Sequence, residues 1–259
     1  MSELVTLDIN DRVATITINR PEKRNSLTPE MLANLESRII EIERLKGIDF
    51  VLLTGAGEKA FCTGADLAAF SALGFDDVRK GWVPEGHRIF KRLSRLPQIS
   101  IALLNGDTFG GGLELALACD FRIAKDSISL GFPEGKVGTI PGWAGTTRAV
   151  DLIGLNRAKY MILSGLAIPA SQAESWGLVN VIAPADLLES ELNTFLKNFS
   201  QGSPIAQQIA KQLMSTFENT NNAEVLEAFA GALSNVTEDF KEGVAAFKEK
   251  RPAKFKGRE

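Results

Sequence analysis

Asn105 to Asp120 reads NGDTFGGGLELALACD: a glycine triplet, Gly110 to Gly112, running straight into an apolar helical stretch with a single carboxylate, Glu114. A glycine run that opens a helix leaves the first backbone N–H groups without intrahelical acceptors and without side chains to cover them. Such N–H groups can hold a developing negative charge. Glu114 falls one turn into a helix otherwise built of Leu113, Leu115, Ala116, Leu117 and Ala118. A carboxylate in that company is poorly solvated, which raises its pKa and suits it to acid/base work near neutral pH. Close backbone packing and a solvated helical face produce the same pattern, so this stretch alone leaves the structural and functional readings equally open.

A second stretch tips the balance. PEGKVGTIPGWAGT, Pro133 to Thr146, carries Glu134 in a turn set by Pro133 and Gly135. That turn lies between an apolar strand, Ser127 to Phe132, and a second glycine-rich helix start at Gly138 to Gly145. Two carboxylates on separate glycine-rich turns suggest a pair divided between acid and base roles. A third stretch follows the strand Asp49 to Gly55: GEKAFCTGADL, Gly57 to Leu67, opens another helix from a glycine turn and offers an outward N–H near Ala65.

Four motifs, RPEKRNSL (Arg20 to Leu27), AFCTGADL (Ala60 to Leu67), the Asn105 to Asp120 block and PEGKVGTIPG, occur in this order. In them the chain resembles the enoyl-CoA hydratase/isomerase (crotonase) family from about Val5 to the C-terminus. The resemblance implies an α/β fold: a crotonase-like spiral of strand-strand-helix turns over residues 1–195, holding the acyl-CoA site. A C-terminal helical trimerisation region would follow over residues 196–259, giving a homotrimer or homohexamer. The implied reaction is reversible addition of water across the 2,3 double bond of an enoyl-CoA thioester. Glu114 would help activate the water, Glu134 would deliver a proton to the α-carbon, and the N–H of Gly142 would position the water. The backbone N–H groups of Ala65 and Gly111 would form the oxyanion hole. Coenzyme A would be cradled by Lys23, Arg24, Ser26 and Leu27 and by Ala65, Asp66 and Leu67, with Lys250 of a neighbouring subunit meeting the phosphates. It is part of the substrate, so no separate cofactor and no metal is implied.

The alternative within the family is a Δ3,Δ2-enoyl-CoA isomerase, which needs only the carboxylate at 134; the presence of Glu114 favours hydration. A non-catalytic acyl-CoA-binding or RNA-binding member is disfavoured by the carboxylate pair and by the acidic balance. The chain departs from the hydratase pattern at Phe132, Trp143, Ala144 and Thr147. Trp143 either narrows the acyl pocket or packs in the core, with packing the commoner role for a Trp at a helix start.

Composition excludes several other classes. The 259 residues carry 29 Lys and Arg against 32 Asp and Glu, and the only basic cluster is the tail Lys248 to Arg258; nucleic acid is not the expected partner. No apolar run approaches the roughly 18 residues of a membrane span, and MSELVTLDIN has neither the basic nor the apolar segment of a signal peptide, so a cytoplasmic protein is expected. Cys62 and Cys119 lack metal-type spacing and read as reduced packing residues. His87 is the only histidine, which leaves a metal cluster or a Ser-His-Asp triad little to draw on.

Hydrophobic periodicity predicts strands at Leu4 to Leu7 and Arg12 to Ile18, with VATITI alternating like a half-buried strand. A helix over Pro29 to Lys46 follows, capped by Thr28. Strand, glycine turn and helix then recur at Phe50 to Ala68 and Ile99 to Ala118. Strands at Phe121 to Ala124 and Ser129 to Phe132, helices at Ala144 to Leu152 and Asn156 to Leu163, and a last strand at Val179 to Ile182 complete the core. Beyond Pro184 the pattern is helical: Asp186 to Phe199, Ile205 to Phe217, Ala223 to Asn235 and Glu238 to Lys248.

Overall fold

Strand β2 (Val13–Ile18) carries the alternation its sequence promises: Ala14, Ile16 and Ile18 are buried, while Val13, Thr15 and Thr17 are partly exposed. It pairs antiparallel with β1 (Val5–Asn10), from Val5 opposite Ile18 to Asn10 opposite Val13. The computed structural model describes residues 3–215, 231, 233 and 236–257. Helix Pro29–Arg44 begins where expected, with Thr28 Oγ1 accepting from Met31 N–H at 3.3 Å and Pro29 in the first turn. Proline suits that position because its missing N–H would have had no acceptor there. The helix buries Met31, Leu32, Leu35, Ile39 and Ile42, each worth at most about 1.5–3 kcal/mol.

The strands form two sheets. The first has the order β1-β2-β3-β5-β7-β10, with β3 at Phe50–Gly55, β5 at Ile99–Leu104, β7 at Phe121–Lys125 and β10 at Val181–Ala183. The second has the order β4-β6-β8-β9, with β4 at Ala60–Cys62, β6 at Asp107–Phe109, β8 at Ser129–Gly131 and β9 at Ile168–Pro169. Parallel pairing joins β2 to β3, β5 to β7 and β7 to β10 in the first sheet, and β4 to β6 and β6 to β8 in the second. Strands β3 and β5 are buried at five of their six positions, as parallel strands covered on both faces are. Each of β3, β5 and β7 leads into a short strand of the second sheet and then into helix. That repeat is the expected spiral of strand-strand-helix turns. Strand β8 falls on the strand expected at Ser129 to Phe132, β4 and β6 occupy stretches read as glycine turns, and β9 with helices Val83–Ser94 and Ala170–Trp176 is additional to the sequence-based elements.

Two compact units divide the chain: residues up to Glu191 apart from Arg95–Ile99, and Arg95–Ile99 together with residues from Leu192 onward. Among the described residues the second unit holds helices Leu188–Phe199 (from Leu192), Pro204–Met214 and Glu238–Glu249. Most of the helix expected over Ala223 to Asn235, including Val225, Leu226 and Phe229, lies outside the described residues. No described helix is long and apolar enough to cross a membrane.

Candidate active site

The glycine triplet does what its sequence suggests. Gly110 stands at φ 52°, ψ −129°, and helix Gly111–Ala116 starts immediately after it. An L side chain rarely adopts that backbone, and a Cβ there would lie 2.9 Å from Glu134 Oε1, so glycine both makes the turn and leaves room for the carboxyl. Gly111 N–H, the first of the helix, has no intrahelical acceptor. Beside it runs Gly64, at φ 93°, where a Cβ would lie 2.8 Å from Gly111 N.

Ala65 forms an isolated parallel bridge with Leu27. Leu27 N–H donates to Gly64 O at 2.7 Å and Asp66 N–H to Leu27 O at 2.8 Å. In such a bridge the flanking residues carry the bonds, so the N–H of Ala65 points the other way. The N–H groups of Ala65 and Gly111 are thus brought to the same neighbourhood by the contact of Gly64 with Gly111.

Glu114 is 2 % exposed. Its Oε1 accepts from Trp143 N–H and from Gly145 N–H, each at 2.7 Å. The two donors converge because Ala144 between them takes the left-handed conformation, φ 73°, ψ 17°, making a backbone nest of the kind that binds anions. Burial drives the Glu114 pKa up, while the N–H groups of Gly145, Trp143 and Gly142 and the positive charge of Arg148 pull it down. Glu134 sits in the 3-10 turn Pro133–Val137 with far less support. Its Oε2 is buried without a hydrogen-bond partner. Burial pushes its pKa up to about 7; its own backbone N–H opposes the rise and the charge of Glu114 adds to it. Burial wins for Glu114, whose pKa stands above the ordinary carboxylate value despite its backbone donors, and its neighbour Glu134 is poised to carry a proton near neutrality.

Trp143 packs. It is 2 % exposed, its ring centroid lies 5.0 Å from Trp82 and 5.3 Å from Phe90, and its Nε1 donates to Trp82 O at 3.1 Å. Cys62 is buried and its thiol is pushed up to about 12 by burial, opposed by the Gly64 N–H, so it stays protonated. His87 is exposed.

The stretch Lys23 to Leu27 borders the site through the Leu27 bridge. Leu27 itself is fully buried and offers backbone only. Ser26 Oγ is engaged by Arg20, Asp66 by Arg20 and by Ala69 N–H, and Arg24 by Asp107. Lys23 is exposed, and Leu67 is 57 % exposed. Lys250 is an exposed residue of the second unit, at the left-handed C-cap of Glu238–Glu249. No group of three or more metal-ligating side chains occurs among the described residues. The N–H donors of Trp143 and Gly145 and the left-handed Ala144 were not read from the sequence. The glycine-rich run up to Gly145 was their only signal, and an alanine at 144 conceals a conformation that glycine would have advertised.

A family model described as enoyl-CoA hydratase/isomerase matches residues 8–258. The Bacillus subtilis protein YngF, assigned by name to the enoyl-CoA hydratases/isomerases, is 43 % identical over 96 % of each chain. A short-chain-enoyl-CoA hydratase of Clostridium acetobutylicum is 38 % identical over 98 % of each chain. The crystal structure of an enoyl-CoA hydratase from Bacillus anthracis superposes with a TM-score of 0.93 at 38 % identity, over 99 % of this chain and 100 % of that one.

Proposed function

The chain belongs to the enoyl-CoA hydratase/isomerase family, and from that premise we propose that it hydrates the 2,3 double bond of an enoyl-CoA thioester, reversibly. The observation that carries this reading is the pair of unlike carboxylates. Glu114 accepts two backbone N–H hydrogen bonds at one oxygen, whereas Glu134 has an unpartnered oxygen and a pKa near neutrality.

The thioester oxygen accepts from the N–H groups of Ala65 and Gly111. Negative charge grows on that oxygen as water adds at the β-carbon, so donors fixed beforehand lower the barrier, by about 3–4 kcal/mol each where a single donor has been removed from other enzymes. Glu114 takes a proton from the water as its oxygen bonds to the β-carbon. Glu134 gives its proton to the α-carbon. One proton passing from Glu114 to Glu134 restores the resting pair, and the reverse sequence eliminates water. Nothing in these steps calls for a metal or a separate cofactor. The backbone from Lys23 to Leu27 and from Ala65 to Leu67 holds the coenzyme A portion, with Lys250 of a neighbouring subunit at its phosphates. The name of the Clostridium relative supports a short acyl group. The same reading includes a cytoplasmic homotrimer or homohexamer built on the C-terminal helices, measurable by light scattering.

Loss of the enoyl-thioester absorbance of crotonyl-CoA tests the proposal in the wild type, Glu114→Gln and Glu134→Gln. Each substitution is expected to slow turnover by about a hundredfold or more. Wild-type turnover retained by either variant would remove that carboxylate from the mechanism. Isomerisation of a 3-enoyl thioester surviving in Glu114→Gln alone would move the activity to the isomerases.

A further inference from the structure

The two oxyanion donors are aimed by different means. Gly111 N–H is the first N–H of a helix and takes its direction from that helix. Ala65 belongs to no helix or regular strand, and two bridge hydrogen bonds to Leu27 orient its peptide. The rest of the support converges on one side chain. Arg20 Nη1 lies 3.1 Å from Ser26 O, 3.2 Å from Ser26 Oγ and 2.7 Å from Asp66 Oδ2. It therefore ties the residue before Leu27 to the residue after Ala65. Asp66 is fixed at its other oxygen, where Oδ1 accepts from Ala69 N–H at 3.0 Å and caps helix Leu67–Ser71.

The anchor behind Arg20 is rigid as well. Buried Asn25, in the left-handed conformation at φ 58°, accepts from Arg20 N–H and donates to Ala56 O and Ala60 O. The Arg20 and Asp66 side chains are only 18 % and 13 % exposed, so the pair escapes most of the screening that makes surface ion pairs weak. We propose that Arg20 is a positioning residue for the oxyanion hole: through Ser26 and Asp66 it sets the direction of the Ala65 N–H. The inference rests on the reading that this N–H receives the thioester oxygen.

The test uses three readouts on Arg20→Met, Arg20→Lys and Asp66→Asn. The first is kcat for crotonyl-CoA. The second is the absorption shift, on binding, of an enoyl-CoA conjugated to an aromatic donor ring, which moves to longer wavelength as its carbonyl is polarised. The third is the Kd of free coenzyme A, which has no thioester carbonyl. Losing a whole donor costs roughly 100- to 1,000-fold, and misdirecting one costs part of that. Arg20→Met is accordingly expected to lower kcat about tenfold to thirtyfold and to reduce the red shift to roughly half, with free coenzyme A binding within about twofold of wild type. Arg20→Lys and Asp66→Asn should fall between wild type and Arg20→Met, and they decide the matter by the same criterion should Arg20→Met fail to fold.

An unchanged kcat and red shift would overturn the proposal. So would coenzyme A affinity falling in step with kcat while the red shift persisted, because Arg20 would then serve the coenzyme A cradle. A wild type that polarises the probe and loses that effect in the Arg20 variants, yet does not hydrate crotonyl-CoA, would support the role of Arg20 and overturn the hydratase reading alone. A wild type that leaves the probe unshifted would overturn both.

Discussion

Replacing Glu134 by Gln should make the protein more stable and less active, with a pH signature that identifies the cause. Burial lifts the carboxyl from its ordinary 4.5 to about 7. At about 1.4 kcal/mol per pH unit, ionising it in the folded protein costs up to about 3 kcal/mol more than ionising it in the unfolded chain. The sign follows from linkage: a folded-state pKa above the unfolded one gives relative stability that is fully present below pH 4.5 and is lost as pH rises to about 7. Glutamine does not titrate, so Glu134→Gln escapes that loss. At pH 8 the variant should exceed wild type by up to about 3 kcal/mol, or roughly 6–12 °C in Tm for a chain of this size, and the advantage should vanish near pH 4.5. The assay is thermal unfolding of both proteins in a pH series, alongside crotonyl-CoA turnover. Two Tm curves that run parallel from pH 5 to 8 would refute the burial argument for Glu134, whatever the kinetics gave.

Four further outcomes follow from the same geometry. The pH profile of wild-type kcat/KM should fall above about pH 7 as Glu134 loses its proton, and a profile flat to pH 9 would remove it as the acid. Gly86→Ala should destabilise by about 1–3 kcal/mol, because a Cβ at 86 would sit 2.1 Å from Trp143 Nε1; thermal unfolding that gains the roughly 1 kcal/mol usual for a helical Gly-to-Ala change would show the indole to be loosely held. Ala144→Gly should be stabilising by about 0.5–1 kcal/mol, since an alanine at φ 73° pays a left-handed penalty that glycine avoids, and a lower denaturation midpoint would count against strain there. Cys62, protonated below about pH 12, should react with a thiol reagent at pH 8 no faster than the protein opens; rapid labelling in the native state would contradict its burial.

The sequence revealed most where a periodicity was long enough to read. VATITI spans one strand, and its three inward residues are the three that are buried. Thr28 and Pro29 marked the start of a helix to the residue. Of the second sheet only β8 was legible, as the strand Ser129 to Phe132; β4, β6 and β9 escaped because they are two or three residues long, too short for an alternation to register. Helix Val83–Ser94 escaped because Pro84 and Gly86 sit in its first turn, where both read as breakers. Pro84 is tolerated near a helix start, and Gly86 is there because the indole of Trp143, 57 residues away in sequence, occupies the space its Cβ would need. Both carboxylates were legible as residues, and the resemblance gave them different roles; the backbone donors that set their surroundings apart were not legible.

That difference is made by backbone N–H groups. Glu114 and Glu134 are the same side chain in the same desolvated neighbourhood, so burial alone would raise both pKa values and leave two acids. What separates them is that Trp143, Ala144 and Gly145 turn two N–H groups onto one Glu114 oxygen, while the second oxygen of Glu134 has none. Hydrogen bonds to a charged form favour that form, so the nest holds back the rise that burial imposes on Glu114, while nothing comparable restrains Glu134 and the charge of Glu114 adds to its rise. In the proposed reaction the division between acid and base would then depend on the conformation of Ala144 as well as on the two glutamates. A substitution that drives residue 144 out of the left-handed region, such as Ala144→Val, whose β-branched side chain disfavours φ above zero, should therefore act on the pair. Glu114 would lose its donors and take up a proton, and Glu134, relieved of a neighbouring charge, would ionise at lower pH. The pH profile of such a variant should shift its descending limb toward acid with both glutamates still in place. A profile that kept its shape and merely lost height would mean that the nest serves packing and leaves the charges alone.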